Sequence, residues 1–177
     1  MFDFTRGPSS EWKAVGGTPT YNGTNGAAFT VSKRGDSPLI QSNWYIMFGS
    51  IELEIKPAPG TGIVSCVVLE SDDLDEVDWE WIGGRPNHVQ TNYFGKGDTS
   101  SYSRGAFFDI AGTHDGFNKY SVEWTSTEMV WKVNGHTVRT IKSAGDNQYP
   151  QSPMMVRVGV WAGGDPGNAP GTIRKYY

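Results

Sequence analysis

Alternation of apolar and polar side chains is the dominant pattern along this chain. In residues 50–56, Ile51, Leu53 and Ile55 alternate with polar side chains, which is typical of a strand with one buried face. No long window keeps apolar residues at the spacing of a helix face without an intervening Gly or Pro. Further strands are predicted at 27–32, 63–70, 76–82, 88–94, 118–125 and 154–161.

The sequence also contains a strong hairpin signal. Two alternating segments, 128–133 and 136–141, flank Asn134-Gly135, and these two residues tolerate the positive φ angles of a type I′ turn. Turn-forming residues separate the other predicted strands at short intervals. Many short strands with this spacing indicate an all-β sandwich or barrel, and a length of 177 residues suits one domain.

Composition and charge narrow the possible partners. The chain has 15 basic and 19 acidic residues, a net charge of −4, and no Lys/Arg cluster, which argues against a nucleic-acid or anionic-membrane partner. It lacks the run of about 20 apolar residues that spans a bilayer. Cys66 is the only cysteine, so we expect a buried thiol with neither an internal disulfide nor a CxxC metal site.

The most unusual segment is DLDEVDWEWIGG, residues 73–84. In a strand, Glu76, Asp78 and Glu80 share one face, while a valine and two tryptophans share the other. The tryptophan face is predicted to enter the core. The opposite face then carries three acids about 6.6 Å apart at successive Cα positions, from a rise of about 3.3 Å per residue.

Such a row of carboxylates predicts paired acid and base chemistry. Close carboxylates do not all ionise freely, so a protonated acid stands beside an ionised base near neutral pH, as glycoside cleavage requires. From the residues alone, either Glu76 or Glu80 could be the acid. Two other interpretations are a solvated acidic strand and a calcium loop at Asp73, Asp75 and Glu76, although an EF-hand loop would need glycine at Asp78.

The segment EVDWE, residues 76–80, resembles the ExDxE signature of glycoside hydrolase family 16. The match continues through TYNGTNGAAFTV, SDDLDEVDWEWIG, VQTNYFGKGDTSSYSRG and NQYPQSPMMVRVGVWAGGDPGNAPGTI, which resemble fungal Crh-type cell-wall transglycosylases. This resemblance implies an all-β, concanavalin A-like jelly-roll sandwich of two curved antiparallel sheets. A substrate cleft is expected on the concave face.

The resemblance also implies roles for the three acids. Glu76 would be the nucleophile, Asp78 the assisting residue and Glu80 the acid/base of a retaining transglycosylase. Its partners would be cell-wall polysaccharides: a β-1,4-linked chitin-type donor is cleaved, and the sugar is passed to β-glucan or chitin acceptors. The alternatives are a β-glucan hydrolase on the same scaffold, or a catalytically impaired carbohydrate-binding or host-recognition protein.

Several other residues are candidates for sugar contacts. For each polar candidate the alternative is a side chain exposed to solvent, and for each aromatic candidate it is packing in the core or at its rim. An indole ring suits the apolar face of a pyranose. The candidates are Gln90, Asn92, Trp161, Glu52, Tyr102 and Trp124. The three histidines, His88, His114 and His136, match no metal-ligand spacing, so neither a metal site nor a cofactor is predicted.

Family resemblance also sets expectations about extent and location. Because family members continue beyond GDPGNAPGTI with another core strand, we expect 1–177 to be a single catalytic domain truncated at its C-terminal end. Neither a signal peptide nor an anchor is recognisable, although the resemblance implies secretion or a cell-wall location. A monomer is expected, and Asn22-Gly23-Thr24 is a glycosylation sequon.

Overall fold

The computed structural model of the protein describes residues 1–101, 103–145 and 148–164. In these ranges a 3-10 turn at Phe4–Arg6 is followed by thirteen strands. They are β1 (Trp12–Val15), β2 (Thr20–Asn22), β3 (Gly26–Ala28), β4 (Leu39–Ser42), β5 (Gly49–Ile55), β6 (Ile63–Ser71), β7 (Glu76–Ile82), β8 (His88–Phe94), β9 (Ala106–Asp109), β10 (Asn118–Trp124), β11 (Glu128–Val133), β12 (His136–Lys142) and β13 (Met154–Ala162).

The strands form two main antiparallel sheets and a small hairpin. The first sheet has seven strands in the order β1-β4-β13-β6-β7-β8-β9, and the second has four in the order β12-β11-β10-β5. Strands β2 and β3 pair separately. Strand β7 therefore lies between β6 and β8 in the larger sheet, where neighbours on both sides fix its position.

The core lies between the two sheets and is rich in aromatic rings. Trp79 and Trp81 of β7 stack with ring centroids 6.0 Å apart, and both meet Tyr120 of β10 edge-on at 5.5 Å and 4.5 Å. All three side chains are at most 1% exposed. The tryptophan face of the acidic strand is thus buried as predicted, and its acidic face must point away from the second sheet.

The predicted sandwich is confirmed, and several strand predictions match closely. Segments 76–82 and 88–94 coincide with β7 and β8, and Asn134-Gly135 forms the turn between β11 and β12 with φ angles of 49° and 81°. Predicted segment 27–32 is wrong in extent, because β3 ends at Ala28. Strands β1, β2, β4 and β9 were missed: each is three or four residues long, too short for alternation to be read. In the ranges described, no helix has the length and apolar character needed to cross a membrane.

Candidate active site

The three acidic side chains of β7 line one cleft on the outer face of the seven-stranded sheet, the face turned away from the second sheet. The cleft has a volume of about 270 Å³, and Arg157 and Trp161 contribute to its wall. Asp78 is only 4% exposed, and the two glutamates are partly buried. Alternation along β7 therefore brings Glu76, Asp78 and Glu80 together in one partly dry site.

Burial and mutual repulsion disfavour ionisation of all three groups. Burial, with a contribution from the Glu76 charge, raises the pKa of Glu80 to about 7. Burial also raises the pKa of Glu76 to about 6, although a hydrogen bond with Asp78 and the charge of Arg157 oppose that shift. Near neutral pH the site can therefore hold an ionised Glu76 beside a protonated Glu80, the pair of forms that glycoside cleavage uses.

Asp78 occupies the most buried position of the row. Burial first, and then the charges of Glu76 and Glu80, raise its pKa well above the ordinary value. A protonated Asp78 can donate the hydrogen bond that it shares with Glu76 and so stabilise the Glu76 carboxylate. Its backbone carbonyl accepts a hydrogen bond from Trp131 Nε1 at 3.2 Å, which ties this point of β7 to the second sheet.

The two acids that precede the strand have a different environment. Lys96 Nζ lies 3.2 Å from Asp73 Oδ2 and 3.3 Å from Asp75 Oδ2. Asp75 is fully buried and also accepts hydrogen bonds from the backbone N–H groups of Lys96 and Gln151, each at 2.8 Å. These carboxylates are therefore structural partners of a lysine, an arrangement that the local sequence does not reveal because Lys96 lies beyond β8.

The calcium-loop interpretation finds no support at this turn. The oxygens of Asp73 and Asp75 that would ligate an ion are engaged by Lys96. Across the described ranges, no group of three or more His, Cys, Asp and Glu side chains is arranged to hold a metal ion. The acidic turn instead anchors the start of β7.

Gln90 and Asn92 lie beside the acidic row on the neighbouring strand. The register of β7 and β8 pairs Glu80 with Gln90 and Asp78 with Asn92, so both amides face the same side as the acids. They are 4% and 2% exposed, respectively. The structure therefore brings them next to the catalytic candidates, although they do not form the wall of the cavity itself.

Trp161 lies in the wall of the cleft, at the end of β13. Its side chain is 8% exposed and packs with Val64 and Cys66 on the outer face of the sheet. Among the described residues, its indole N–H has no hydrogen-bond partner. The ring is thus separate from the core between the sheets, and it forms part of the wall that a sugar in the cleft would meet.

Two predicted sugar contacts are not brought to the cleft. Glu52 lies on the outer face of the other sheet, where it pairs with Lys119 at 3.4 Å and its side chain is 51% exposed. Trp124 is 1% exposed between the sheets, and its Nε1 donates to Pro150 O at 3.1 Å. The alternation of 50–56 placed Glu52 correctly on a polar face, but the sheet that carries this strand was not predictable, and Trp124 has the core role that was its alternative. Tyr102 lies outside the described residues.

The cleft lining also includes residues that the sequence reasoning did not predict, among them Gln41, Cys66, Glu70 and Arg157. Cys66 and Glu70 face Glu80 and Glu76 across the β6–β7 pairing. The alternation of segment 63–70 could have placed them on one face, but the pairing register was needed to set them against the acids. Gln41 lies on the missed strand β4.

Cys66 is buried beside the acidic row, as expected for a free cysteine. It is 2% exposed, and burial raises the pKa of its thiol well above the ordinary value, with the charges of Glu80 and Asp78 adding to the shift. The neutral thiol is therefore an apolar neighbour of Glu80, and it contributes to the dry environment of that carboxyl group.

Comparisons with known proteins agree with this geometry. Crh-like protein 4 of Aspergillus fumigatus is 65% identical over 175 residues, which cover 98% of this chain and 38% of that protein. Crh-like protein 1 of the same fungus is 50% identical over 175 residues, covering 97% of this chain and 48% of that protein. The chain thus spans less than half the length of these two relatives.

Solved structures extend the similarity to three dimensions. The structure described as "Crh5 transglycosylase in complex with NAG" has a TM-score of 0.89 at 47% identity, covering 96% of this chain and 71% of that one. A Bacillus licheniformis beta-glucanase has a TM-score of 0.77 at 19% identity, covering 90% and 83%, which shows a common jelly-roll fold. The family description "Glycosyl hydrolases family 16" matches residues 8–177. The chain belongs to glycosyl hydrolases family 16.

Proposed function

We propose that this protein is a retaining transglycosylase of fungal cell-wall polysaccharides. The observation that carries the proposal is the row of three carboxyl groups in one partly dry cleft, with a higher pKa at Glu80 than at Glu76. Similarity to Crh-like proteins and to the Crh5 transglycosylase over most of the chain supports transfer as the reaction type.

The first step would form a covalent glycosyl-enzyme. The Glu76 carboxylate attacks the anomeric carbon, the bond to the glycosidic oxygen breaks, and Glu80 gives that oxygen its proton. Asp78 would donate a hydrogen bond to Glu76 and hold it in position. Once Glu76 is an ester it carries no charge, so one cause of the raised pKa of Glu80 is removed, and Glu80, which has given up its proton, stays ionised and ready to accept one.

The second step would complete the transfer. A hydroxyl group of the acceptor gives its proton to Glu80 and attacks the anomeric carbon, which releases the carboxylate of Glu76. Water can take the place of the acceptor, in which case the product is a hydrolysed chain. The outcome depends on how well the cleft holds an acceptor hydroxyl in line with the ester, since positioning is worth several orders of magnitude in rate.

The relatives support the proposed substrate and location. The solved Crh5 transglycosylase is described in complex with NAG, which supports a chitin-type donor here, with β-glucan or chitin as acceptor. A cell-wall substrate requires that the protein be secreted or held at the wall. Because one chain supplies the whole acidic row, a monomer is sufficient for this chemistry.

Incubation of the protein with a chitin-type donor and a fluorescent laminari- or chito-oligosaccharide tests the proposal. We expect labelled products larger than the acceptor, and we expect Glu76→Gln and Glu80→Gln to abolish them. Glu54→Gln is the matched control, because Glu54 is exposed on the other sheet and pairs with Lys119. Reducing ends without labelled products would indicate a hydrolase instead. Binding without turnover in the wild type would indicate an inactive carbohydrate-binding protein.

A further inference from the structure

Arg157 is a cation held in a fixed orientation inside the cleft. Its Nε donates to Gln41 Oε1 at 3.1 Å, and its Nη1 donates to Glu70 Oε2. Gln41 is itself held by a contact of its Nε2 with Met155 Sδ at 2.9 Å, and it is only 6% exposed. Two neighbours thus fix the plane of the guanidinium group, while the Arg157 side chain as a whole remains 30% exposed and lines the cleft.

The strand register places Arg157 on the same side of the sheet as the acidic row. Arg157 pairs with Val68 of β6, and Val68 pairs with Asp78 of β7. Two strand spacings separate Arg157 from Asp78, which is about 10 Å at the backbone. Its side chain reaches toward Glu70, the cross-strand neighbour of Glu76. The guanidinium group therefore lies within reach of a sugar whose anomeric carbon is at Glu76.

The bonding capacity of this group is only partly used. A guanidinium group has five N–H donors and no acceptor. In the described part of the chain, Nη2 of Arg157 makes no hydrogen bond, while Nε and Nη1 each make one. Its neighbours on the cleft wall include the apolar side chains of Leu39 and Val68. The local surface thus offers hydrogen-bond donors next to apolar carbon atoms.

This combination matches an acetamido group better than a hydroxyl group. An amide carbonyl oxygen is an acceptor only, as the donor-only guanidinium requires, and the adjacent methyl group can contact apolar carbon atoms. A sugar hydroxyl group is both donor and acceptor and carries no methyl group. In a β-1,4-linked chitin-type chain, the acetamido group is on C2, directly next to the anomeric carbon that Glu76 would attack.

We propose that Arg157 donates a hydrogen bond to the carbonyl oxygen of a 2-acetamido group and so selects chitin-type over glucan-type donors. Glu70 and Gln41 are positioning residues that orient the guanidinium group. The inference rests on the proposed function for the identity of the donor polymer. It adds the residue that distinguishes two polymers with the same β-1,4 linkage.

The test compares equilibrium binding of chitotetraose and cellotetraose, two β-1,4-linked chains that differ at C2. Binding is measured by calorimetry on Glu76→Gln, so that no turnover is needed, with and without Arg157→Met. We expect the loss of Arg157 to weaken chitotetraose binding about tenfold or more, as for a hydrogen bond to a charged donor. Cellotetraose binding should change less than about twofold, within the usual range for a lost exposed contact.

Arg157→Lys provides a second variant that keeps a cation for Glu70 but lacks the two-nitrogen fork, and it should also lose the preference for chitotetraose. Lys56→Met is the matched control, because Lys56 is exposed beyond the end of β5 and outside the cleft. Equal losses for both sugars, no loss for either, or no measurable binding of chitotetraose to the parent variant would each overturn the inference. Selective loss without any transferase activity in the wild type would leave the inference standing and reject the proposed reaction.

Discussion

Asp78 has one of its carboxyl oxygens, Oδ1, buried without a hydrogen-bond partner among the described residues. Its pKa is raised above the ordinary value by burial and by the neighbouring acids. Above the pKa of an unfolded aspartate, near 3.9, the folded chain therefore holds a proton that the unfolded chain has lost. The stability of the folded state falls as the pH rises through this window, so Asp78 costs stability near neutral pH.

Asp78→Asn should consequently stabilise the protein at neutral pH. The amide keeps the shape and a donor toward Glu76 but has no charge to bury. We expect a melting temperature at least about 2 °C higher than that of the wild type, because the free energy of unfolding should increase by about 1 kcal/mol or more. The gain should disappear in acid, where the wild-type carboxyl group is protonated in both states.

Thermal unfolding followed by circular dichroism at several pH values measures this difference. Asp115→Asn, at an exposed turn position, should show no comparable gain. A lower melting temperature for Asp78→Asn at neutral pH would show that the carboxyl group contributes to stability. In that case burial is not the dominant influence on this residue.

At the scale of elements, the turn before β7 decides where the acidic row begins. Asp75 accepts backbone hydrogen bonds from both Lys96 and Gln151, so it joins the start of β7 to the ends of two other segments. Burial alone would raise the pKa of Asp75, but these bonds and that of Lys96 Nζ lower it below the ordinary value. This carboxylate therefore stabilises the fold above its unfolded pKa, and the effect is lost as the pH falls through its folded pKa.

Asp75→Asn should destabilise the protein by about 2 kcal/mol near neutral pH, since charge-assisted hydrogen bonds are lost in a fully buried place. Asp73→Asn is the matched control, because Asp73 contacts the same lysine but its side chain is 68% exposed. Its effect should stay below about 1 kcal/mol. Urea denaturation of the two variants measures both values, and equal effects would contradict the role assigned to burial.

Local signals in the sequence were sufficient for some elements and not for others. The turn at Asn134-Gly135 and the alternation of 76–82 are decided by nearby residues, so β7 and the β11–β12 hairpin could be predicted. The same alternation identified the two faces of β7. The strands that were missed have four residues or fewer, and tertiary pairing rather than local pattern defines them.

Prediction of the site from the sequence is limited for the same reason, because local patterns do not give the pairing of strands. Glu76, Asp78 and Glu80 come from one strand, so one periodic pattern could bring them together. Arg157 reaches the cleft only through the order β13-β6-β7, and Glu52 is kept from it because β5 belongs to the other sheet. Strand order depends on pairing between distant segments, which a single sequence without a family resemblance does not encode in a readable form.

At the scale of the whole molecule, the sandwich shields one side of the acidic row from water and leaves the other side open to the cleft. The consequence is a narrow working range of pH, because the raised pKa values of Glu76 and Glu80, about 6 and about 7, are close together. The proposed mechanism needs an ionised Glu76 and a protonated Glu80. It should therefore rise with pH through the lower of two macroscopic pKa values and fall through the higher one.

Measurement of kcat/KM across the acidic and mildly alkaline range should give a bell-shaped profile with its maximum between about 6 and about 7. With a donor whose leaving group needs no protonation, Glu80→Gln should lose the alkaline limb and keep the acidic one. A persistent alkaline limb in Glu80→Gln would assign that titration to another group. A maximum near pH 4 would mean that the two glutamates titrate as they do in solvent.

Cys66 lies within the same dry layer, and its position affects how the protein responds to chemical labelling. Thiol reagents require an accessible thiolate, and this sulfur atom is both buried and held in its neutral form. A folded molecule is therefore inert to such reagents, whereas a chain that has opened exposes its one reactive sulfur. The only thiol of the sequence thus serves as a built-in indicator of unfolded molecules, located directly beside Glu80 of the acidic row.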